Sequence, residues 1–409
     1  METNYVEEFW MKTLIPKSVC GLLVLWLLSI PLNSKTISLQ AKAEWTNVGK
    51  IVAIGDIHGA YDEFVAILQE LGLIDQKLNW IGGKTHLVQI GDYIDRGVHD
   101  RKVLDLLMQL EKQSEKAGGR LHPLMGNHEA MNMIGDLRYV TRESYAAYAT
   151  DKTEELREKT YARYVKYREA RAKRNIPPQE FQADQKFKEE WMAKHPPGYF
   201  EQRKAFSDSG AYGRWLLNRN AVLKLNDTIF LHGGINETIS QSSLREINER
   251  VRKELRSFFE MRKVLVSNGI LDDSLDYDEA LTQVSLEIDY QKAKGVSLEP
   301  PVIEALQQFQ TLGNWFITHP TGPLWYRGYA QEPEETFKPL LDRIKTNLGA
   351  AHLVVGHTPM LTGITGRFAE DIFLIDTGIL RRYYKGLCSA LIIENGKFTP
   401  VYPKSGPCA

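Results

Sequence analysis

KIVAIGDIHG, residues 50–59, decides the fold. KIVAI is an uncharged apolar run of strand length after its first residue, and it ends abruptly in Gly-Asp-Ile-His-Gly. Residues 61–71 then carry Phe64, Ile67, Leu68 and Leu71 at helical spacing. The unit recurs. HLVQI (86–90) runs into GDYIDRG (91–97) and an amphipathic helix over 103–110, and RLHPLM (120–125) runs into GNHE (126–129). Strands alternating with helices predict an α/β fold with an at least partly parallel sheet. Each motif falls just after a strand, where open α/β sheets gather their ligands.

Outward from these units the pattern changes. Residues 141–206 are dense in Lys, Arg and Glu, with Tyr145, Tyr148, Tyr161, Tyr164 and Tyr167 at spacings that favour helices with a partly apolar face. Pro177-Pro178 and Pro196-Pro197 interrupt them. The stretch reads either as a cap that selects substrates or as a solvated helical insertion. Strand signals return at AVLKL (221–225) and TIFLH (228–232); 247–310 is mostly helical; LVV (353–355), DIFLID (371–376) and ALIIE (390–394) read as closing strands. Repeats and low-complexity linkers are absent. The simplest organisation is one catalytic domain over 49–400 with helical insertions at about 141–206 and 240–310.

The 409 residues are 43% hydrophobic and 25% charged, with a net charge of −1. No global field draws the chain to nucleic acid or an anionic membrane, so any phosphate affinity must be local. VCGLLVLWLLSI (19–30), preceded by Lys12 and Lys17, falls short of the ~20 residues of a spanning helix. It suits the apolar region of a secretory signal, with Ala41-Lys42-Ala43 as a cleavage pattern and Met11 as an alternative start. The distance from Ile30 to Ala43 is long for a signal, which keeps an uncleaved anchor open. The expectation is therefore a signal peptide or N-terminal anchor over 1–43, an exported, periplasmic or extracytoplasmic protein, and membrane contact only through that anchor. Cleavage would leave Cys388 and Cys408, which can pair in an oxidising compartment. No Cys-x-x-Cys is present, so a zinc ribbon is not expected.

The chemistry gathers in five motifs. Asp56 and His58 stand two apart in a segment expected to be nearly extended, which would point both side chains one way. Asp92 adds a carboxylate able to bridge two ions. Asp95 and Arg96 follow at once, and Arg presents a planar fork suited to phosphate oxygens. Asn127 offers a neutral oxygen, His128 remains free to move a proton, and His232 (in HGG, 232–234) and His357 (in GHT, 356–358) each follow a strand. A lone Asp before a turn is usually a cap, and a lone His is usually packed or exposed. Here four of the ten histidines fall in these motifs, each beside glycine or asparagine. Two carboxylates, three imidazoles and an amide, without thiolate, suit two divalent ions drawn from Mn, Fe or Zn. His86, His99, His122, His195, His319 and His352 are expected to be ordinary packed or exposed histidines.

GDIHG, GDYIDRG, GNHE, HGG and GHT together resemble the signature set of the PPP phosphatases, spanning residues 55–358. GPLWYRG (322–328), with HGG, resembles the bacterial Shewanella-like branch in particular. The resemblance implies a calcineurin-like metallophosphoesterase fold, a central β-sandwich flanked by helices. It implies one metal held by Asp56, His58 and Asp92 and a second by Asp92, Asn127, His232 and His357. Arg96 and Arg327 would grip phosphate, and His128, oriented by Asp95, would protonate the leaving oxygen. The implied function is a metal-dependent phosphomonoesterase acting on phosphorylated proteins or peptides through in-line attack of a metal-bridging hydroxide. A dinucleoside polyphosphate hydrolase or other small-molecule phosphoesterase is the alternative; a non-catalytic metal-binding module is a third reading. The eukaryotic SAPNYC segment has no equivalent here, and the helical stretch after GNHE is longer than in the core phosphatases.

Overall fold

A computed structural model describes residues 42–174 and 177–409. The N-terminal segment read as a signal or anchor, with Cys20, lies outside the described residues apart from its last two positions. The strands are β1 (Glu44–Trp45), β2 (Lys50–Ile54), β3 (His86–Gln89), β4 (Arg120–Pro123), β5 (Val222–Leu225) and β6 (Thr228–Leu231). They continue as β7 (His352–Val355), β8 (Thr365–Arg367), β9 (Ile372–Leu374), β10 (Ala390–Glu394) and β11 (Lys397–Val401). Two sheets form, in orders β1-β5-β6-β7-β9-β8 and β11-β10-β2-β3-β4. Within them β2-β3-β4 and β6-β7-β9 run parallel, and β10 turns back antiparallel along β2.

Period-2 alternation explains why the central strands read as continuous apolar runs. Ile51, Ala53 and Val88 of one sheet pack with Leu223, Phe230 and Val354 of the other, which makes the sandwich interior. Their neighbours Val52, Ile54 and Leu87 face outward under α1 (Tyr61–Glu70) and α2 (Asp100–Lys116). On the opposite side Ile229, Leu231, Leu353 and Val355 face a second helical layer that includes Leu341 and Ile344. Both sheets are thus covered on both faces, as expected of a β-sandwich flanked by helices.

Three strands were not anticipated: β1, β8 and β11. They are short or polar edge segments (EW, TGR, KFTPV), and glycine, proline and charge are what natural edges carry. The helix expected over 103–110 extends over Asp100–Lys116.

The stretch 141–206 is helical, as Arg142–Ala146, Thr153–Ala172, Gln185–Lys194 and Tyr199–Ala205. Tyr145, Tyr148 and Tyr164 are buried, so the insertion packs on the domain instead of standing in solvent. It meets the second insertion, which comprises the helices Leu244–Ser267, Tyr277–Lys294 and Pro300–Gln310, at Ile270, Asp272 and Glu287. Glu287, fully buried, accepts from Arg171 at 2.6 Å and also from Arg174, and Arg163 grips Asp272 through two bonds of 2.9 and 3.1 Å. Burial works against the Glu287 carboxylate, yet its bonds to Arg174, Gln291 and Arg171 hold it below its ordinary range.

Cys388 and Cys408 are joined in a disulfide that ties the chain's end to the approach of β10. Closing a loop of this size stabilises by about 3 kcal/mol in chain-entropy terms.

Candidate active site

The motifs converge because the two parallel runs end side by side. Beyond Ile54, the amides of Ile57 and His58 both donate to the Asp92 carbonyl at 2.9 Å, and Gly59 N donates to the Tyr93 carbonyl at 2.8 Å, which zips GDIHG onto GDYIDRG. GNHE joins through α3 (Asn127–Ile134), whose His128 amide donates to Asp92 Oδ1 at 3.1 Å. From the other sheet, the His357 amide donates to Asp56 Oδ1 and Oδ2 at 3.2 and 3.1 Å. A Cβ on Gly126 would stand 2.3 Å from Asp92 Oδ1, and one on Gly356 the same distance from Asp56 Oδ1. Only glycine lets these backbones approach so closely.

The GDIHG segment is not extended as the spacing suggested. His58 has φ +49°, and Asp92, Asp95, Arg96 and His357 are also left-handed, at +55°, +72°, +64° and +65°. A non-glycine residue there costs roughly 1 kcal/mol or more, a strain that the surrounding hydrogen bonds hold in place. A turn, not strand alternation, brings His58 Nε2 to 4.0 Å from Asp56 Oδ2 and 3.6 Å from Asp92 Oδ2.

The four histidines fall into two kinds. His58 Nδ1 donates to the Ile94 carbonyl at 3.0 Å, His232 Nδ1 to the Ile90 carbonyl at 3.1 Å, and His357 Nε2 to the Trp325 carbonyl at 3.1 Å. A carbonyl accepts only, so in a neutral imidazole held this way the other nitrogen is the free acceptor and is turned inward, the arrangement of a metal ligand. His232 Nε2 lies 2.8 Å from Asn127 Oδ1, 3.1 Å from His357 Nδ1 and 3.3 Å from Asp92 Oδ1. Asn127 turns its amide nitrogen toward Met131 Sδ at 3.7 Å, leaving its oxygen on the site. His128 differs: its Nδ1 pairs with the Asp95 carboxylate at 2.6 Å, and its Nε2 stands 3.8 Å from Asp92 Oδ2. Asn132 in turn donates to both Asp95 oxygens, at 3.0 and 3.1 Å.

Charge follows this geometry. Burial, then Asp376 and Asp92, raises Asp56 well above the carboxylate range. Asp92 resists its own burial because His232, His128 and His58 surround it, and it is held well below that range. Burial lowers His58 and His357 strongly. In His128 burial is outweighed by Asp92 and Asp95, so its pKa rises. Crowded, buried carboxylates beside inward-facing imidazole nitrogens are a donor set that asks for cations, and the residues fit divalent metal. Among the described residues, two groups of ligand atoms lie within 4.8 Å of one another: His58, Asp92 and His128, and Asp92, His232 and His357. Asp92 belongs to both.

The arginines stand at the mouth. Arg96 meets His58 Nε2 and the Tyr384 hydroxyl through one nitrogen, with its guanidinium 5.1 Å from the ring centre of Tyr139 and 5.7 Å from that of Tyr384. Arg327 Nη1 donates to the His357 carbonyl at 2.7 Å and to Thr358 Oγ1 at 3.0 Å. All ten expected site residues are therefore brought together, Arg327 among them.

Sequence reasoning missed several members. Glu129, fully buried, accepts from the amides of Asp92, Tyr93 and Gly126 at 2.8, 2.8 and 2.9 Å and locks two motifs together. Gln89 bridges Gly55 and Gly91 from the end of β3. Asp376 is buried against Asp56, and burial followed by Asp92 pushes it up to about 6. Its strand-then-Asp position in DIFLID is the signal that would have found it. Tyr384 carries no such signal.

Residues 49–361 match the calcineurin-like phosphoesterase family. An uncharacterized protein of Schizosaccharomyces pombe is 29% identical over 353 residues, 85% of this chain and 77% of that protein. Shewanella-like protein phosphatase 2 of Arabidopsis thaliana is 30% identical over 210 residues, 51% of this chain and 52% of its own, so the match spans about half of that relative. The crystal structure of a cold-active protein-tyrosine phosphatase from a psychrophilic Shewanella has the same fold, with a TM-score of 0.53 and 24% identity over 88% of this chain and 82% of that one. The chain belongs to the calcineurin-like phosphoesterase family and is a phosphatase-type hydrolase whose relatives include Shewanella-like protein phosphatases.

Proposed function

We propose that this metallophosphatase hydrolyses phosphate monoesters on proteins or peptides, with His128 as general acid. The observation that carries the reading is the split among the histidines: three are anchored to backbone carbonyls and one to a carboxylate. A carbonyl fixes a neutral ligand, whereas a carboxylate supports the protonated imidazole that an acid needs. In this reading Asp56, His58 and Asp92 hold one ion, and Asp92, Asn127, His232 and His357 the other. When bound, such a pair of Mn, Fe or Zn ions would activate water as the nucleophile and offset charge on the phosphate. Arg96 and Arg327 orient the phosphate oxygens, and Asp95, held by Asn132, aims His128 at the leaving oxygen. Named relatives that are protein phosphatases support the phosphoprotein substrate.

Phosphopeptides assayed beside diadenosine tetraphosphate, with added Mn, test the substrate. Turnover of phosphopeptides is expected, and cleavage of the dinucleotide alone would overturn the assignment. We also propose export, which the apolar segment at 19–30 and the Cys388–Cys408 pairing support. Recovery of the protein in a reducing cytosolic fraction with free thiols would contradict it.

A further inference from the structure

One cavity is lined by none of the proposed metal ligands. It measures about 740 Å³ and lies where the two helical insertions meet, between Thr153–Ala172, Tyr199–Ala205 and Leu244–Ser267, with Asn132 and Met133 of α3 in its wall. That is the size of a pocket for a small organic molecule. Its walls have two chemistries. Met133, Phe200, Phe258 and Phe259 supply an apolar surface. Arg163, Arg203, Lys204, Arg262 and Lys263 supply positive charge, against only Asp208 and Asp273. Arg163 is already paired with Asp272, but Arg203, Lys204, Arg262 and Lys263 have no ion pair among the described residues.

Arg262 is the telling member. It is 8% exposed, and the hydrogen bonds it makes, all from Nη2, go to the carbonyls of Asp272, Asp273 and Leu275 at 3.3, 3.3 and 2.7 Å. Its Nη1 is buried without a partner. A guanidinium desolvated this far and left unpaired is costly unless an anion completes it. Asn132, in the cavity wall, links it by hydrogen bonds to His128. Gln202, beside Arg203, donates to Asn132 Oδ1 at 2.7 Å while its own Oε1 has no partner, and Asn132 holds the Asp95 that holds His128.

We propose that this cavity binds a small amphipathic anion, an apolar body with one anionic head, and that its occupancy adjusts the His128 end of the active site through Gln202, Asn132 and Asp95. The head group meets Arg262 and the lysines, and the body lies on the phenylalanines. The coupling rests on the role proposed for His128; the binding does not.

The probe is 8-anilino-1-naphthalenesulfonate, titrated by fluorescence into the metal-loaded protein, with neutral N-phenyl-1-naphthylamine as its uncharged counterpart. One saturable site is expected, undisturbed by inorganic phosphate and at least ~10-fold weaker in the Lys204→Glu/Lys263→Glu double variant, whose two exposed positions touch no catalytic group. The uncharged counterpart is expected to bind more weakly by a similar factor. Displacement by phosphate, equal affinity in the double variant, equal affinity of the neutral molecule or the lack of a saturable site would each overturn the binding site. Saturation is expected to change kcat by at least ~2-fold at constant KM. Saturable binding that leaves kcat unchanged would overturn the coupling.

Discussion

The two sheets build their halves of the site by different means. The half carried by β2, β3 and β4 is braced by buried side chains: Glu129 ties Asp92, Tyr93 and Gly126 together, and Gln89 spans Gly55 and Gly91. The half carried by β6 and β7 brings His232 and His357, whose rings lean on main-chain carbonyls, and Arg327, tethered through one nitrogen. The first half holds four left-handed non-glycine residues (His58, Asp92, Asp95 and Arg96), and the second holds one, His357. Strain is concentrated where the bracing is densest, which is how a costly backbone geometry persists. The two residues whose proposed roles need the closest placement, Asp92 and His128, sit on that braced side.

Asp92 is the point at which the halves meet, and breaking it should have the largest effect. Asp92→Asn is expected to lower kcat by on the order of 10³-fold and to reduce metal content in both subsites, read by elemental analysis. Loss of one ion alone would mean that the carboxylate serves a single subsite.

Removing a brace should be milder and confined to one half. Glu129→Gln keeps the shape but cannot accept three amides equally well, and a 10–100-fold loss of metal affinity is expected. Burial and Asp92 push Glu129 up to about 8 while its amide bonds pull it down. Unaltered affinity would show that the backbone holds GDYIDRG unaided.

The arginines offer a contrast of the same kind. Arg96→Ala removes a guanidinium packed among Tyr139, Tyr383 and Tyr384, whereas Arg327→Ala frees only the His357 loop. Both should raise KM for phosphopeptide, and Arg96→Ala should also lower kcat, by roughly 10²-fold. Equal effects in the two variants would remove the distinction.

The smallest expected effect concerns the seam between the braced half and the first insertion. Asp100 is fully buried, accepts from Ser144 at 2.6 Å and has Oδ1 unpartnered; burial, then Asp95, pushes its pKa up to about 7. With the folded value above the unfolded one, charging Asp100 opposes folding, so wild-type stability falls as pH rises from about 4 to about 7. Asp100→Asn should abolish that part of the fall and gain stability at pH 8 relative to pH 4, measured by denaturant unfolding. A parallel pH dependence in both proteins would place the proton elsewhere.

What the sequence disclosed follows from the same division. Asp56, Asp92, Asn127, His232 and His357 were legible because each closely follows a short, largely buried strand, a local pattern. The braces were not. Glu129 acts on amides 36 and 37 residues away, and Tyr384 meets Arg96 across 288 residues, contacts that no local period encodes. The turn at His58 was misjudged for a related reason: two residues of spacing look extended until the hydrogen bonds to the Asp92 carbonyl are known. The insertions were legible as helices but not as partners, since their joining depends on Glu287 and Asp272 far along the chain.

The most direct test of the account is metal content per chain measured with phosphopeptide turnover in His128→Asn. His128 Nε2 lies close enough to His58 and Asp92 to be a ligand, while its bond to Asp95 is what the proposed acid role rests on. The account predicts wild-type metal content, two ions per chain in a dinuclear site, with turnover lowered at least ~10²-fold. Unchanged turnover, or loss of an ion along with activity, would contradict it.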